Sequence, residues 1–519
     1  MIKQSVSIFN DVIGPVMRGP SSSHVAAAAR IGILARQMVK GNLKKVIVEF
    51  DPKGSLATTY HGHGSDMGLV GGLLGFETQD SRLPKWESIS KEKGLNIEFN
   101  IVDYKAAHPN TYKMMLISDK DEKVNVVAIS TGGGMIKYES IENFNVSICG
   151  DFYETLVFVE NKEDVKKLID YIERKNIKID YFEKSKNGNN ILLDIKTSYK
   201  LEKDIINSIE KQYNVITIEP VLPIKSRKEC KVPFNTADSM FEVSKKSNLK
   251  LWELALLYES IRGNISKEEV YNKMKEIVLL MKSSIEEGLK GTKYENRILG
   301  SQSHMIEKSE KEGKLIKSDV LNSMIECITS MMEVKSSMGV IVAAPTAGSC
   351  GGLPGTIIGA TKALGLTIDD ATKAMLAAGI VGVFIAEHAT FAAEVGGCQV
   401  ECGAGSCMAA AGLVELNGGT VKQGIDASSM ALQNVMGMVC DPVADRVEVP
   451  CLGKNIMAGS NALACANMAL AGFDKVVPLD ETIKAMYSVG HMLPSELRCT
   501  GCGGLSLTET SKRIYKEIN

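Results

Sequence analysis

Nine of the twelve cysteines fall between Cys350 and Cys502, and three of them sit in unusual company. Cys398 follows two glycines in EVGGCQVEC (394–402). Cys440 and Cys451 open and close CDPVADRVEVPC, a short loop turned at Pro442 and Pro450. Three thiolates from two stiff turns can hold a [4Fe–4S] cluster through three of its irons, leaving the fourth open as a Lewis acid. The spacing matches none of the compact ferredoxin patterns, and free cysteines buried for packing alone give the same picture. Cys499 and Cys502 form a single C-x-x-C in ELRCTGCGG, without the second pair of a zinc site or the βαβ setting of a redox motif. Cys402, Cys407 and Cys465 read as core thiols, and Cys350 lies in a glycine-rich turn.

Hydroxyls and imidazoles cluster at the other end. GPSSSH (19–24) sets Ser21, Ser22, Ser23 and His24 at the predicted start of a helix, where free N–H groups and the helix dipole favour an anion. An N-cap run with a surface histidine is the plainer alternative. HGHGSD (61–66) packs His61 and His63, two of only seven histidines, among glycines beside Asp66. APTAGSCGGLPG (344–355) resembles a nest of backbone donors and lacks the Gly-Lys-Ser/Thr of a nucleotide loop. His388 and His491 read as structural.

The elements that must position these residues follow from periodicity. KKVIVEF (44–50) and VNVVAIS (124–130) predict strands, and VAAAARIGILARQM (25–38) predicts a helix entered through the serines. From NVSICG to YNVITIEPV the pattern runs strand, helix, two strands joined by KNGN, helix, strand, a ferredoxin-like βαββαβ order. KSRKECKVPFN (225–235) is a charged connector. Residues 236–337 are helical with one charged face, whereas 338–472 hold only 15 charged side chains in 135 residues and are rich in Ala and Gly, as in helices buried all round. The expected fold class is multidomain α+β. It comprises an N-terminal α/β domain (1–145), a βαββαβ module (146–224) and a mostly α-helical C-terminal domain (236–519).

Bulk properties exclude several classes. At 519 residues the chain is too long for one ordinary domain, and 44% hydrophobic with 24% charged residues excludes disorder as its main state. A net charge of −2 leaves no footprint for nucleic acid. MIKQSVSIFNDVIG has no continuous apolar core, so no secretory signal is expected. The uncharged stretches 338–361 and 455–473 are broken by prolines and glycines or by asparagines, and read as buried core rather than membrane spans. A cytoplasmic location is expected, where clustered thiols are rarely disulfides.

Taken together, GPSSSH, GSLATTYHGHGSD (54–66), APTAGSCG, EVGGCQ, CDPVADRVEVPC and GSNAL…ANMALAG (459–472) resemble the iron–sulfur-dependent L-serine dehydratases over nearly the whole chain. The β-like part comes first, and the βαββαβ segment loosely resembles an ACT-type regulatory module. The resemblance implies a [4Fe–4S] cluster on Cys398, Cys440 and Cys451, and β-elimination of L-serine to pyruvate and ammonia. It further implies His24 or His61 as base, with Ser21, Ser22, Ser23, His63, Thr346 and Gly348 holding the substrate. The small amino acid is then the expected partner, in amino-acid catabolism, with a homodimer expected. Two departures stand out. Ala444-Asp445-Arg446 replaces a segment that is often Gly-Gly and an apolar residue, and the chain ends KRIYKEIN instead of in a cysteine that folds back into the site. Cys499 or Cys502 is the alternative source of such a thiol. Close rivals keep the cluster but act on L-cysteine or L-threonine. A pyridoxal-phosphate enzyme lacks a lysine in a suitable setting, and an amino-acid sensor or electron-transfer protein is the non-enzyme alternative.

Overall fold

The computed structural model describes residues 5–228, 230–295 and 297–518. Its N-terminal region is a six-stranded sheet covered by helices. The two-residue strand β1 (Val16–Met17) leads through a wide turn at Ser22–Ala26 into helix α1 (Ala27–Gln37). β2 (Leu43–Phe50) follows, then α2 (Ser65–Leu73), β3 (Asn96–Ile101), β4 (Thr111–Ser118), β5 (Lys123–Gly132), β6 (Met135–Ile141) and β7 (Phe144–Ile148). The sheet order is β3-β2-β4-β5-β6-β7, antiparallel except for β2 with β3. Alternation along β2 buries Val46, Val48 and Phe50 against α1 and α2, as the pattern of 44–50 predicts. The NVSI run thus closes this first sheet as β7, because Phe144 and Ile148 are buried in its core.

α1 and α2 touch backbone to backbone. A methyl group at Gly72 would stand 2.1 Å from Ala29 O, and one at Gly32 would stand 2.3 Å from Leu69 O. Glycine is therefore required where the helices cross. This close crossing brings the SSSH turn, just before α1, beside the HGHGSD loop, just before α2.

The next region is a four-stranded antiparallel sheet. β8 (Tyr153–Val159), α3 (Lys162–Arg174), β9 (Tyr181–Asn187), β10 (Asn190–Thr197), α4 (Lys203–Glu210) and β11 (Asn214–Ile218) follow in βαββαβ sequence. The sheet order is β11-β8-β10-β9. The helices are amphipathic and bury Val165, Leu168, Ile172 and Ile209 on Val157, Leu193 and Ile195.

The C-terminal half is helical, as its pattern predicts. Its principal helices are α5 (Leu251–Gly263), α6 (Lys267–Leu289), α7 (Asp319–Ser336), α8 (Gly352–Ala363), α9 (Ile368–His388), α10 (Cys402–Leu416), α11 (Val421–Gln433), α12 (Cys451–Leu470) and α13 (Leu479–Met492). α9 and α10 lie at the centre and are buried over almost their whole length, which their Ala and Gly content permits. Just before α8, β12 (Ile341–Val342) pairs with β1, so a short ribbon joins the N-terminal region to the helical half. Among the described residues no helix is long and apolar enough to cross a membrane.

Candidate active site

The cysteine segments converge at the ends of helices. Gly397 (φ 74°) lets the chain press against Met438 O, 2.8 Å from where its Cβ would be, and this turns Cys398 inward. Cys402 and Cys451 are the first residues of α10 and α12, where the helix dipole favours a thiolate. Cys440 is fixed from the far end of the chain: its N–H donates to Leu497 O at 2.8 Å, and Cys499 N–H donates to Cys440 O at 3.0 Å. Cys398, Cys402, Cys440 and Cys499 form one buried cluster, with Cys451 close enough to act on Cys402, Cys440 and Cys398. The hydrogen bond from Cys402 and then the charge of Lys454 hold the Cys398 thiol down at about 7, against burial. Burial pushes Cys451 up, and the bond to Cys499 together with burial does the same for Cys440.

Polar groups tie this wall to the rest. Asn455 donates to Gly348 O at 2.9 Å and to Cys451 O at 2.8 Å, and accepts from Gly352 N–H at 2.7 Å, so the 344–355 loop is fastened to α12. Lys335, fully buried, donates to Val447 O within the Cys440–Cys451 loop. Lys454 pairs with Asp441 at 2.8 Å and donates to Val439 O at 2.6 Å.

The opposite wall comes from the N-terminal region. His24 is fully buried, 2.9 Å from Ser21 Oγ through Nδ1 and 3.0 Å from Thr59 Oγ1 through Nε2, with Glu394 Oε1 3.6 Å from Nδ1. His63 meets it edge to face, the ring centroids being 4.7 Å apart. Burial, and then His63, hold His24 well below the ordinary imidazole range, so it stays neutral. His63 Nε2 lies 3.1 Å from Asp445 Oδ1. Ala444 and Asp445 both take left-handed backbone (φ 51° and 55°). That conformation explains why glycines suit this loop, and here the second of the two positions carries a carboxylate that reaches a buried histidine.

Between the walls lies a narrow cavity of about 20 Å³, lined by Ser21, His63, Gly348, Glu394, Cys398, Glu401, Cys440, Cys451 and Cys499 among others. Six of the eleven residues singled out from the sequence are on its surface. Ser22, Thr346 and His24 stand one contact behind. Ser22 Oγ accepts from Ala347 N–H at 3.1 Å, Thr346 Oγ1 donates to Glu401 Oε1 at 2.7 Å, and His24 meets the cavity through Ser21. Ser23 is buried and does not line the cavity. His61 lies outside it, in a neighbouring hollow with Asp66 and Arg446, its side chain 68% exposed and its ring 2.5 Å from Asp66 Oδ2. That hydrogen bond raises its affinity for a proton. The serines do not cap α1 with their side chains, since Ser21 Oγ is used on His24.

Sequence reasoning missed Glu394 and Glu401, although both flank Cys398 in the quoted EVGGCQVEC. Burial raises Glu394, and burial with the negative charges of Cys398 and Glu394 raises Glu401 well above the carboxylate range. Cys402 belongs with the thiol cluster, not with Cys407 and Cys465 in the main helical core. Cys499 and Cys502 part company: the first is in the cluster, while the second is exposed and its Sγ meets Thr500 O at 3.3 Å.

Among the described residues no three His, Cys, Asp or Glu side chains converge on one ion.

Residues 246–506 match the family model described as the serine dehydratase alpha chain, and residues 9–141 that of the serine dehydratase beta chain. The probable L-serine dehydratase alpha chain of Bacillus subtilis (strain 168) is 35% identical over 285 residues, which is 55% of this chain and 95% of that one. The probable beta chain of the same organism is 35% identical over 218 residues, 41% of this chain and 97% of its own. The L-serine dehydratase of Helicobacter pylori (strain ATCC 700392 / 26695) is 26% identical over 501 residues, 94% of this chain and 96% of that one. These matches define the chain as a lyase with alpha-type and beta-type regions. The chain belongs to the serine dehydratase family, with the beta-chain region preceding the alpha-chain region in one polypeptide.

Proposed function

We propose that this chain eliminates water from L-serine, and that the released 2-aminoacrylate tautomerises and hydrolyses to pyruvate and ammonia. Cys398, Cys440 and Cys451 are its proposed [4Fe–4S] ligands. The observation that carries this reading is the meeting of those three thiols in one buried cavity with Ser21, His63 and Gly348 of the opposite wall. The donor set suits the group: soft thiols in an apolar setting, one of them, Cys451, at a helix N-terminus, with Lys454 as a nearby positive charge. When bound, the cluster supplies an iron without a protein thiolate, a Lewis acid for the substrate hydroxyl.

The protein's own groups do the rest. Gly348 and Ser21 bind the carboxylate and amine from the wall, while Ser22 and Thr346 hold the two loops in register through Ala347 and Glu401. Ser23 backs the same turn. His63, steadied by Asp445, closes the cavity. The α-proton passes by way of Ser21 Oγ to Nδ1 of the neutral His24. His61 is the other histidine considered for this step, and its exposed place outside the cavity favours His24.

The domains proposed are the substrate wall, which runs past the expected boundary at 145 to the end of β7 at 148, an ACT-type regulatory module from there to 224, and 236–519 for cluster and catalysis. The β11-β8-β10-β9 order supports the module's assignment. A cytoplasmic homodimer accompanies this reading. Freshly reduced protein is assayed with L-serine, L-cysteine and L-threonine, with pyruvate or 2-oxobutyrate as readout. The highest kcat/KM is expected for L-serine, and a preference for L-cysteine overturns the substrate assignment.

A further inference from the structure

A groove of about 700 Å³ runs between the N-terminal region, the connector after β11 and α6, well apart from the thiol cavity. Phe9, Ile13, Val221, Leu222 and Ile277 give it an apolar side, and Arg30, Glu77, Thr78 and Gln79 are among its polar lining. Arg30 is only 3% exposed. One of its terminal nitrogens donates to Gly134 O at 2.7 Å and also meets Met135 Sδ at 3.8 Å. Among the described residues no carboxylate lies within 4.0 Å of it. Asp11, whose charge acts on Arg30 from farther off, has its Oδ2 occupied by Ser7 N–H at 2.8 Å. A guanidinium carries five donors in a planar fork, and burying one with no carboxylate in contact is costly. Burial accordingly pulls Arg30 down to about 10.

We infer that this groove is a binding site for a small aliphatic carboxylate, its oxygens on Arg30 and its apolar body against the Phe9, Ile13 and Leu222 wall. The apolar lining selects against bare inorganic anions. Lys273, its Nζ 6.0 Å from the Phe9 ring centroid, adds a second cation to the lining, which also includes Glu276 and Glu77. The site adjoins the β1–β12 ribbon, in which Gly14 N–H donates to Ala343 O at 2.8 Å. An occupant there touches the ribbon that carries Ser21 on one side and Thr346 on the other.

Equilibrium dialysis with labelled isovalerate tests this, using the full chain and sulfate as the inorganic comparison. The expected result is saturable binding that weakens about tenfold or more in Arg30→Gln, which loses the charge-assisted pair. A comparable loss is expected in Leu280→Glu, which sets a negative charge at an exposed rim position without disturbing the core. Cys440→Ala should bind isovalerate as the unaltered chain does, so the result stands apart from the fate of the proposed cluster. No saturable binding at about 10 mM overturns the inference. So does equal affinity in both groove variants, and sulfate binding as tightly as isovalerate overturns the ligand class.

Discussion

The two walls of the cavity are built on opposite chemical plans. The helical wall offers thiols and small apolar residues packed at helix starts, with one lysine for charge. The N-terminal wall offers a hydroxyl and two imidazoles that meet edge to face, fixed by two helices that meet through glycine. Neither wall contains a complete site. Under the proposed function, holding a soft-metal group and moving a proton fall to regions that match separate chains in B. subtilis. The seam between them, the β1–β12 ribbon with the Ser22–Ala347 bond, is where function becomes possible.

If the division is real, the walls fail differently. Cys440→Ala should have the largest effect, bringing iron, acid-labile sulfide and turnover to background together, whereas Cys465→Ala should leave all three near normal. Elemental analysis with the pyruvate assay distinguishes these outcomes. His24→Gln should keep iron and sulfide yet lower kcat by about 10²–10⁴-fold, the usual contribution of a positioned base. A variant that loses iron as well would place His24 on the metal side. Gly72→Ala forces α1 and α2 apart and should lower unfolding free energy by roughly 1–3 kcal/mol, measured by urea denaturation, and impair turnover while the iron remains.

The smallest effect is on pH dependence. His24 is neutral in the fold, but the unfolded chain regains the ordinary value of 6.5 and binds its proton first as the pH falls. Stability contributed by this group is thus present above about pH 6.5 and lost below it, by about 1 kcal/mol between pH 6.5 and 5.5. Comparison of the unaltered chain with His24→Gln across that window should show this difference, with the variant the flatter of the two.

What the sequence made legible differs between the walls for a physical reason. Strand alternation in 44–50, the βαββαβ order and the uncharged helices are short-range patterns, and each appears in the fold. Cysteine is rare enough for its grouping to carry information, so Cys398, Cys440 and Cys451 stood out before their contacts were known. Glu394 and Glu401 did not, because a glutamate in a sequence looks solvated until the fold removes the water. Cys402 read as core because its meeting with Cys398 depends on a turn at Gly397, and Cys499 read as half of a C-x-x-C because its partner Cys440 lies 59 residues earlier in the chain. His61 and His63 are two residues apart in one loop. One faces the cavity and the other solvent, a choice made by Asp445 and Asp66.

The most direct test is iron and inorganic sulfide per chain in protein prepared under nitrogen, read beside pyruvate release from L-serine. About four of each per active chain are expected, with turnover falling in air as they are lost. Sustained turnover by protein free of inorganic sulfide would contradict the thiol wall's assigned role.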